Sequence, residues 1–398
     1  MLTLDKVYQA SYILKEVIRK TDLIRASHIC EESKLYLKTE NLQVTGSFKV
    51  RGAYFKISQL SEEEKKRGVI ACSAGNHAQG VALAAKKNGI PAIICLPDSA
   101  PISKVEATKS YGAEVRLVNG CYDDAYAEAM RLKDEKGYTF IHPFNDENII
   151  AGQGTIGLEI LDQLPDVDAV IVPVGGGGLI SGIAHTVKTL RPECKVYGVQ
   201  AAGAPSMANS LKEHEILTLP AVSTVADGIA VKTPGDLTYA CCEQYVDEIV
   251  TVSDDEISSA ILALIEQQKM ITEGAGAVSV AAAMFGKVPI EGKKVVCVLS
   301  GGNIDVTILS RVIKRGLLTS GRTCNLNIEL IDKPGQLLGV SKIISDLRGN
   351  VISVHHERSS EGSDINGCYL RLILETRDYA HVQEIRGALL DAGYHLID

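Results

Sequence analysis

The chain has 398 residues, of which 45% are hydrophobic and 23% charged, and its formal net charge is −8. This composition excludes collagen-like, disordered and low-complexity proteins, and the length predicts two or three folded domains. Because there are 49 acidic against 41 basic residues and no long run of either sign, we expect neither nucleic acid nor an anionic membrane as a partner.

The cysteines and the N-terminal segment bear on where the protein works. Ten cysteines lie mostly alone within apolar runs, as Cys72, Cys95 and Cys297 do, so we expect reduced core residues and no disulfide framework. The N-terminal residues have an amphipathic helical pattern without the organisation of a signal peptide, and no apolar run reaches the ~18 residues of a membrane-spanning helix. We therefore expect a cytoplasmic location.

Between residues 34 and 302, short apolar runs alternate with segments of helical periodicity. Apolar runs of this kind are typical of strands that are buried on both faces. Their repeated alternation with helices predicts an α/β fold with parallel sheets. The predicted strands are residues 34–38, 69–73, 91–96, 114–118, 139–142, 169–174, 195–200 and 294–299.

Lys49 stands at the start of a predicted helix, directly after Phe48 and a glycine turn at Gly46. A buried lysine in such a place loses its proton more readily and can add to a carbonyl carbon. The alternative is a solvated lysine at a helix start, and the position alone does not separate the two.

Four consecutive glycines, residues 175–178, separate the strand at 169–174 from a predicted helix that begins around Leu179. Backbone N–H groups at the start of a helix attract anions, so this loop is a candidate phosphate site. It lacks the spacing of a dinucleotide fingerprint and of a nucleotide P-loop. A flexible turn is the alternative, but a phosphate site together with a carbonyl-binding lysine points to pyridoxal phosphate (PLP).

From residue 323 onward the pattern changes to a βαββαβ unit. It resembles the ACT regulatory domain, whose first loop often reads Asp-x-Pro-Gly, as residues 332–335 do here. The resemblance implies an amino-acid effector site at Asp332, Gly335, Gln336 and Leu337, and the alternative is a domain that only mediates assembly. The predicted elements are a strand at 325–330, a helix at 335–347, strands at 351–355 and 369–374, and a helix at 381–390.

Four segments, in order along the chain, resemble the signatures of fold-type II PLP enzymes, specifically serine/threonine dehydratases. They are SFKVRGA at 47–53, SAGNHAQG at 73–80, GGGGL at 175–179 and SGGN at 300–303. With the ACT-like unit, they most resemble the threonine ammonia-lyases that carry one such domain. The resemblance implies two open parallel-sheet subdomains in a catalytic domain of residues 1–320, the smaller, about 50–150, being inserted in the larger. An ACT-like regulatory domain would follow at 323–398, in a homodimer or homotetramer.

The resemblance also assigns roles in the site. Lys49 would form the Schiff base with PLP, Phe48 would pack near the ring, Asn76 would bond to the ring hydroxyl, and Ser300 would meet the pyridine nitrogen. The phosphate would be held by Gly175, Gly176, Gly177, Gly178 and Leu179. The carboxylate of a small amino-acid substrate would bind at Ser73, Ala74, Gly75, Asn76 and His77, although turn and helix-cap roles are the alternative for Ser73 and His77.

The residue at the pyridine nitrogen indicates the type of reaction. A hydroxyl at Ser300, in place of a carboxylate, would leave the nitrogen largely unprotonated and the ring a weaker electron sink. This disfavours a long-lived carbanion and transamination, and it favours α,β-elimination. L-Threonine would then give 2-oxobutanoate and ammonia, and L-serine would give pyruvate.

Two departures separate the chain from the serine racemases of the same family. Ala74 stands where racemases carry a second serine, and because a methyl group cannot move a proton, racemisation should be minor. Gln200 and Ser206 stand where racemases have metal-binding carboxylates, so we expect no divalent metal. Structural and site roles remain equally open for Asp227 and Glu273, which lie in two further segments that fit the family.

Several alternatives stay open at this point. A serine-preferring dehydratase and a β-replacing synthase share the expected fold. A non-enzymatic amino-acid sensor is disfavoured by the presence of Lys49, Asn76 and Ser300 together. A nicotinamide-dependent dehydrogenase with an ACT tail is disfavoured because the dinucleotide fingerprint is missing.

Overall fold

The computed structural model describes residues 2–358 and 367–397. The chain divides by its internal contacts into two units, Met1–Leu309 and Ser310–Asp398. This division lies within the helix Val306–Thr319. The predicted end of the catalytic domain at residue 320 and the predicted start of the ACT-like domain at residue 323 both come after the end of this helix.

Fourteen strands form three sheets in the described part of the chain. In chain order they are β1 (Leu23–Arg25), β2 (Lys34–Lys38), β3 (Val69–Cys72), β4 (Ala92–Pro97), β5 (Glu114–Val118), β6 (Thr139–Phe140), β7 (Ala169–Pro173), β8 (Lys195–Ala201), β9 (Glu248–Val252), β10 (Lys294–Val298), β11 (Thr323–Ile331), β12 (Asn350–Glu357), β13 (Gly367–Glu375) and β14 (His395–Ile397).

Fifteen α-helices cover or connect these strands within the same described residues. They are α1 (Leu4–Leu14), α2 (Lys49–Ser58), α3 (Glu62–Arg67), α4 (Asn76–Lys87), α5 (Ile102–Ser110), α6 (Tyr122–Lys136), α7 (Glu147–Gln163), α8 (Gly178–Leu190), α9 (Ser206–Glu213), α10 (Asp236–Tyr245), α11 (Asp254–Ala263), α12 (Gly274–Met284), α13 (Val306–Thr319), α14 (Gln336–Asp346) and α15 (Tyr379–Asp391). Short 3₁₀ helices occur at Glu40–Leu42 and Asp227–Ile229, and a π-helical turn at Leu264–Gln268.

The larger sheet of the first unit has the strand order β1-β2-β10-β7-β8-β9. Every neighbouring pair is parallel except β1 and β2. All five residues of β7 are buried, as expected for a strand with helices on both faces of its sheet. β10 lies between β2 and β7 although it follows both in the chain, so this sheet joins distant parts of the first unit.

The smaller sheet of the first unit has the order β5-β4-β3-β6 and is entirely parallel. Its strands come from the part of the chain between β2 and β7, and all four residues of β3 are buried. The predicted α/β class with two open parallel sheets is confirmed.

The C-terminal unit has an antiparallel sheet of order β12-β13-β11-β14. Helices α14 and α15 contribute to one apolar core with this sheet, which includes Leu326, Ile344, Leu370 and Ile385. The order of strands and helices is βαββαβ, so the ACT-like architecture expected from the sequence is confirmed.

Two strands of the larger sheet are missed by the sequence analysis. β1 has only three residues and none is fully buried, and β9 is partly exposed along most of its length. Neither gives the continuous apolar run from which buried strands were predicted. Conversely, β6 ends at Phe140, before the predicted end at residue 142, because only Thr139 and Phe140 pair with β3.

Two further features of the structure concern the cysteines and the length of the apolar helices. All ten cysteines are free thiols, and most of them are buried. Among the described residues, no helix is both long enough and apolar enough to cross a membrane.

A buried group of charges anchors α2 to the larger sheet and to α7. The fully buried Arg51 donates from Nε and Nη2 to Glu40 at 2.8 and 2.7 Å, and from Nη1 and Nη2 to Glu159 at 2.6 and 2.9 Å. Lys38, on β2, donates to the same Glu159 at 2.6 Å. Because α2 begins at Lys49, this network fixes the helix that carries the candidate nucleophile.

Candidate active site

A cavity of about 890 Å³ lies at the carboxyl ends of the two parallel sheets of the first unit. Strand-to-helix passages at this edge supply its lining, as is usual for ligand sites in open α/β sheets. The structure brings together in this lining all the residues that the sequence analysis selects for cofactor and substrate. They are Phe48, Lys49, Ser73, Ala74, Gly75, Asn76, His77, Gly175, Gly176, Gly177, Gly178, Leu179 and Ser300.

Lys49 is the first residue of α2, and its amine is inside the protein. Its Nζ donates to the carbonyl oxygen of Pro143 at 2.8 Å and lies 5.3 Å from the ring centre of Phe48. Burial lowers the pKa of Lys49 to about 8, and the Glu273 carboxylate partly opposes this shift. A substantial fraction of the amine is therefore neutral near physiological pH, which is the form that acts as nucleophile or base.

The glycine loop leads from β7 into α8 through four residues that have no side chains of their own. Gly177, the N-cap residue, has φ +96°, which is costly for residues with a Cβ. A Cβ on Gly176 would lie 2.4 Å from the ring of Phe144. Because the cap has no side chain, the first N–H groups of α8 can bind an anion.

Asn76 connects two groups in the cavity lining. Its Nδ2 donates to Glu273 Oε1 at 2.6 Å, and its Oδ1 accepts from Asn303 Nδ2 at 2.8 Å. Burial and, to a lesser extent, the nearby Asp227 raise the pKa of Glu273 to about 7, and the bond from Asn76 opposes the shift. Glu273 and Asp227 both line the cavity, and Asp227 is paired with Lys104 at 2.6 Å.

The raised pKa of Glu273 makes stability depend on pH. As pH rises from about 4.5 to about 7, the unfolded state loses the proton of Glu273 before the folded state does, so this group reduces the free energy of unfolding over that interval. The cofactor-free Glu273→Gln variant should match the parent near pH 4.5 and exceed it above pH 7 by about 1–3 kcal/mol. Thermal unfolding of both proteins across this pH range measures the difference, and identical profiles would contradict the assignment.

The loop at residues 73–77 combines a polar turn with a buried imidazole. Ser73 Oγ accepts from the N–H of Gly75 at 3.1 Å. His77 Nε2 lies 2.8 Å from the carbonyl oxygen of Ile141, and because a carbonyl only accepts, this nitrogen is the donor. Burial lowers the pKa of His77 to about 3, so its ring is neutral. The His77 side chain thus holds the loop against the strand end, in line with the structural alternative.

The cavity also contains residues that the sequence analysis did not select. His142 Nδ1 accepts from the N–H groups of Phe144 and Asn145 at 3.2 and 2.8 Å, and burial lowers the pKa of His142 to about 4. Gln153 is buried, and its Oε1 has no hydrogen-bond partner among the described residues. The polar His-Pro dipeptide at the end of the predicted strand 139–142 is the signal that could have identified this loop.

The region of Gln200 and Ser206 has its own internal contacts. Gln200 Oε1 accepts from the N–H of Ala208 at 2.8 Å, and both Gln200 and Ser206 are fully buried. Neither side chain has a carboxylate that could bind a divalent metal ion. The absence of a divalent metal at these two positions remains a prediction.

The cavity fits pyridoxal phosphate at both ends of the cofactor. The buried amine of Lys49 suits the aldehyde, and the uncapped start of α8 suits the phosphate. Ser300 and Asn76 also line the cavity, and Gln153 offers an unsatisfied acceptor.

Comparison with known proteins agrees with this chemistry. Residues 14–301 match the family described as pyridoxal-phosphate dependent enzyme, and the chain belongs to this family. L-threonine ammonia-lyase of Thermotoga maritima is 51% identical over 398 residues, which cover 100% of this chain and 99% of that protein.

Solved structures give the same result for the fold. The processed form of threonine deaminase isoform 2 from Solanum lycopersicum is 39% identical, with a TM-score of 0.75 over 79% of this chain and 95% of that chain. Maize serine racemase is 36% identical, with a TM-score of 0.75 over 79% of this chain and 98% of that chain. The chain is therefore a fold-type II enzyme with PLP as its cofactor.

Proposed function

We propose that this protein deaminates L-threonine to 2-oxobutanoate and ammonia by PLP-dependent α,β-elimination, and L-serine to pyruvate by the same route. The buried amine of Lys49, in one cavity with the uncapped glycine loop, is the observation that carries the proposal. The full-length similarity to a protein named L-threonine ammonia-lyase supports this choice of substrate.

Lys49 holds and moves the proton in this proposal. When bound, PLP withdraws the electrons that remain after the α-proton of the amino acid is lost. Lys49 Nζ takes that proton, because its lowered pKa of about 8 makes the neutral amine available. Phe48 would pack beside the cofactor ring, and the Phe48 ring and the Pro143 carbonyl lie next to the amine in the cavity.

The remaining roles concern binding and orientation. The loop of residues 175–179 would bind the phosphate through backbone N–H groups, and Ser300 would meet the pyridine nitrogen without adding a charge. Asn76 would bond to the ring hydroxyl, and the loop of residues 73–77 would bind the substrate carboxylate. The bond from Asn76 to Glu273 and the bond from Asn303 to Asn76 support this orientation of the Asn76 amide.

Steady-state release of 2-oxo acid from L-threonine and L-serine tests the proposal. We expect both to react and kcat/KM to be higher for L-threonine. Preference for L-serine would favour the serine dehydratase alternative. Formation of a substituted amino acid when a thiol is added would favour the β-replacing synthase, and absence of any turnover by the PLP-loaded protein would favour the amino-acid sensor.

The side chain at position 74 should limit the reaction to elimination. We expect L-threonine to be deaminated without accumulation of D-allo-threonine, because Ala74 has no group that can move a proton on the second face of the substrate. Ala74→Ser should raise epimerisation at least about tenfold, since a positioned acid or base is typically worth more than this. Chiral chromatography measures the products, and Ala74→Gly controls for the change in space. Epimerisation by the parent protein at a rate comparable to deamination would contradict the prediction.

The C-terminal unit is proposed to bind an amino-acid effector in an oligomer, a homodimer or homotetramer. The supporting observation is the loop before α14, where Gly335 is the N-cap with φ +93° and Asp332, Gln336 and Leu337 lie beside it. Isoleucine or valine should shift the apparent affinity for L-threonine by about 5- to 150-fold. Gln336→Ala should weaken this response, whereas Lys342→Ala, at an exposed position of the same helix, should keep it.

Two results would contradict this effector site. One is the absence of any kinetic response of the full-length protein to the common amino acids. The other is an equal response in the Gln336→Ala and Lys342→Ala variants. Either result would favour a C-terminal unit that serves assembly only. The location that we propose for the protein is the cytoplasm.

A further inference from the structure

Three side chains with different metal-binding atoms meet on the sheet of the C-terminal unit. They are Asp332, His356 and Cys368, and their ligand atoms all lie within 4.8 Å of one another. They are far apart in the sequence, so no spacing motif indicates them. They also lie outside the unit that contains the catalytic cavity.

The strand register brings these residues to one face of the sheet. β13 lies between β12 and β11, so Cys368 has a neighbouring strand on each side. His356 pairs with Leu370, and Leu330 pairs with Cys368. Because side chains alternate along a strand, positions 368 and 370 face the same way, and so do positions 330 and 332 as the chain leaves β11. The cluster is therefore set by backbone pairing.

The atoms are already close to the spacing of a metal site. His356 Nε2 lies 3.1 Å from Cys368 Sγ. Nitrogen, oxygen and sulfur ligands of a tetrahedral zinc ion lie roughly 3.3–3.6 Å apart, given bond lengths of about 2.0–2.3 Å. The His356 and Cys368 atoms therefore need to separate by only a few tenths of an ångström, and the Asp332 carboxylate, within 4.8 Å of both, closes on the ion from the exposed end of β11.

Cys368 combines burial with polar neighbours. The residue is only 2% exposed, and its Sγ lies beside His356 Nε2 and the Asp332 carboxylate. Arg358 pairs with Asp332 at 3.2 Å. A divalent ion would stabilise the thiolate and the Asp332 carboxylate together, and its binding would release the proton of the thiol.

We propose that Asp332, His356 and Cys368 bind one divalent transition-metal ion, with Zn²⁺ as the best match. A thiolate, an imidazole and a carboxylate suit zinc and exclude magnesium and calcium, which prefer oxygen ligands alone. Three protein ligands leave a fourth position for water or another small ligand. The site is separate from the proposed deamination and does not depend on it, and Asp332 is the residue that it shares with the proposed effector loop.

Cobalt is the probe for this site because its visible spectrum reports tetrahedral coordination. The full-length PLP-loaded protein is treated with a chelator, freed of it by gel filtration and titrated with Co²⁺. We expect one Co²⁺ per chain by elemental analysis, absorption bands at the red end of the visible range, where PLP does not absorb, and displacement by one equivalent of Zn²⁺.

Two histidine variants identify the ligand. His356→Ala removes an exposed side chain and should weaken Co²⁺ binding by about 100-fold or more, because even the outer-shell partners of metal ligands are worth roughly 10- to 100-fold. His355→Ala is the matched control, since His355 is the exposed neighbour that faces the other side of β12 and pairs with Arg371. It should bind Co²⁺ as tightly as the parent.

Further variants test the other two ligands. Asp332→Asn should weaken Co²⁺ binding, and Cys368→Ser should also remove the thiolate-to-cobalt charge-transfer band. Circular dichroism checks that the Cys368→Ser protein is folded, because Cys368 is part of the apolar core. Equal Co²⁺ affinity in His356→Ala and His355→Ala would overturn the proposal, and so would a parent protein that shows no tetrahedral Co²⁺ bands during the titration.

Discussion

Replacement of Lys49 by alanine is expected to reduce deamination of L-threonine by at least about a thousand-fold, because the nucleophile and the base are lost together. Among the described residues of the cavity lining, the other lysines are Lys104 and Lys232. Lys104 is paired with Asp227. Steady-state and single-turnover release of 2-oxobutanoate measure the loss. Cofactor binding should be partly retained, because the phosphate contacts of the glycine loop remain.

Two further substitutions separate the chemistry of Lys49 from its charge. Lys49→Arg keeps a cation but cannot supply a neutral amine, so it should be as inactive as the alanine variant. Lys56→Ala is the matched control, since Lys56 lies on the same helix and pairs with Asp146 at 2.7 Å, and it should retain activity within a few-fold. Borohydride should fix the cofactor to Lys49 in the parent protein. Attachment to a different lysine would contradict the assignment.

Replacement of Arg51 by methionine is expected to destabilise the first unit by about 3–5 kcal/mol. The change removes the guanidinium that pairs with two carboxylates, and Glu40 is fully buried whereas Glu159 is 15% exposed. Glu159 keeps its bond from Lys38, whereas the remaining partner of Glu40 is the neutral hydroxyl of Thr21. Leaving the Glu40 charge buried beside a neutral partner costs more than the ion pair itself contributes. Denaturant unfolding followed by the absorbance of bound PLP measures the effect. Because α2 begins at Lys49, weaker cofactor binding should accompany the loss of stability.

An exposed arginine provides the control for this network. Arg131 also pairs with two carboxylates, Glu128 and Glu135, but on the surface of α6. Arg131→Met should have little effect, because solvent already screens these charges. Adding Glu40→Gln and Glu159→Gln to Arg51→Met should recover part of the lost stability. Equal losses in the Arg51 and Arg131 variants would show that burial is not the cause.

The parallel sheets could be predicted because their strands are apolar on both faces. β3 and β7 are continuous buried runs, so hydrophobicity alone identifies them. β1 and β9 are short or partly exposed, and they form strands only because a neighbour in the sheet pairs with them. Tertiary pairing of this kind leaves no local signal in the sequence.

Some residues of the candidate site could be predicted from local sequence patterns, and others could not. Lys49, Asn76 and the glycine loop directly follow strands or open helices, so local patterns select them. Gln153 lies inside α7, and the sequence pattern does not distinguish it from any other polar residue of a helix. Only the packing of α7 against α2 brings it to the cavity. The cluster of Asp332, His356 and Cys368 depends on register across three strands, which the spacing of residues in the chain does not specify.

The position of β10 between β2 and β7 has a consequence for synthesis of the chain. All strands of the smaller sheet leave the ribosome early, and their neighbours are local, so that sheet can form while the rest is still being made. β2 and β7 have no common neighbour until residues 294–298 have been added. During that interval both strands present open edges, which are the surfaces through which nascent chains pair wrongly. The larger sheet can therefore close only after about three quarters of the chain, up to residue 298 of 398, has been made.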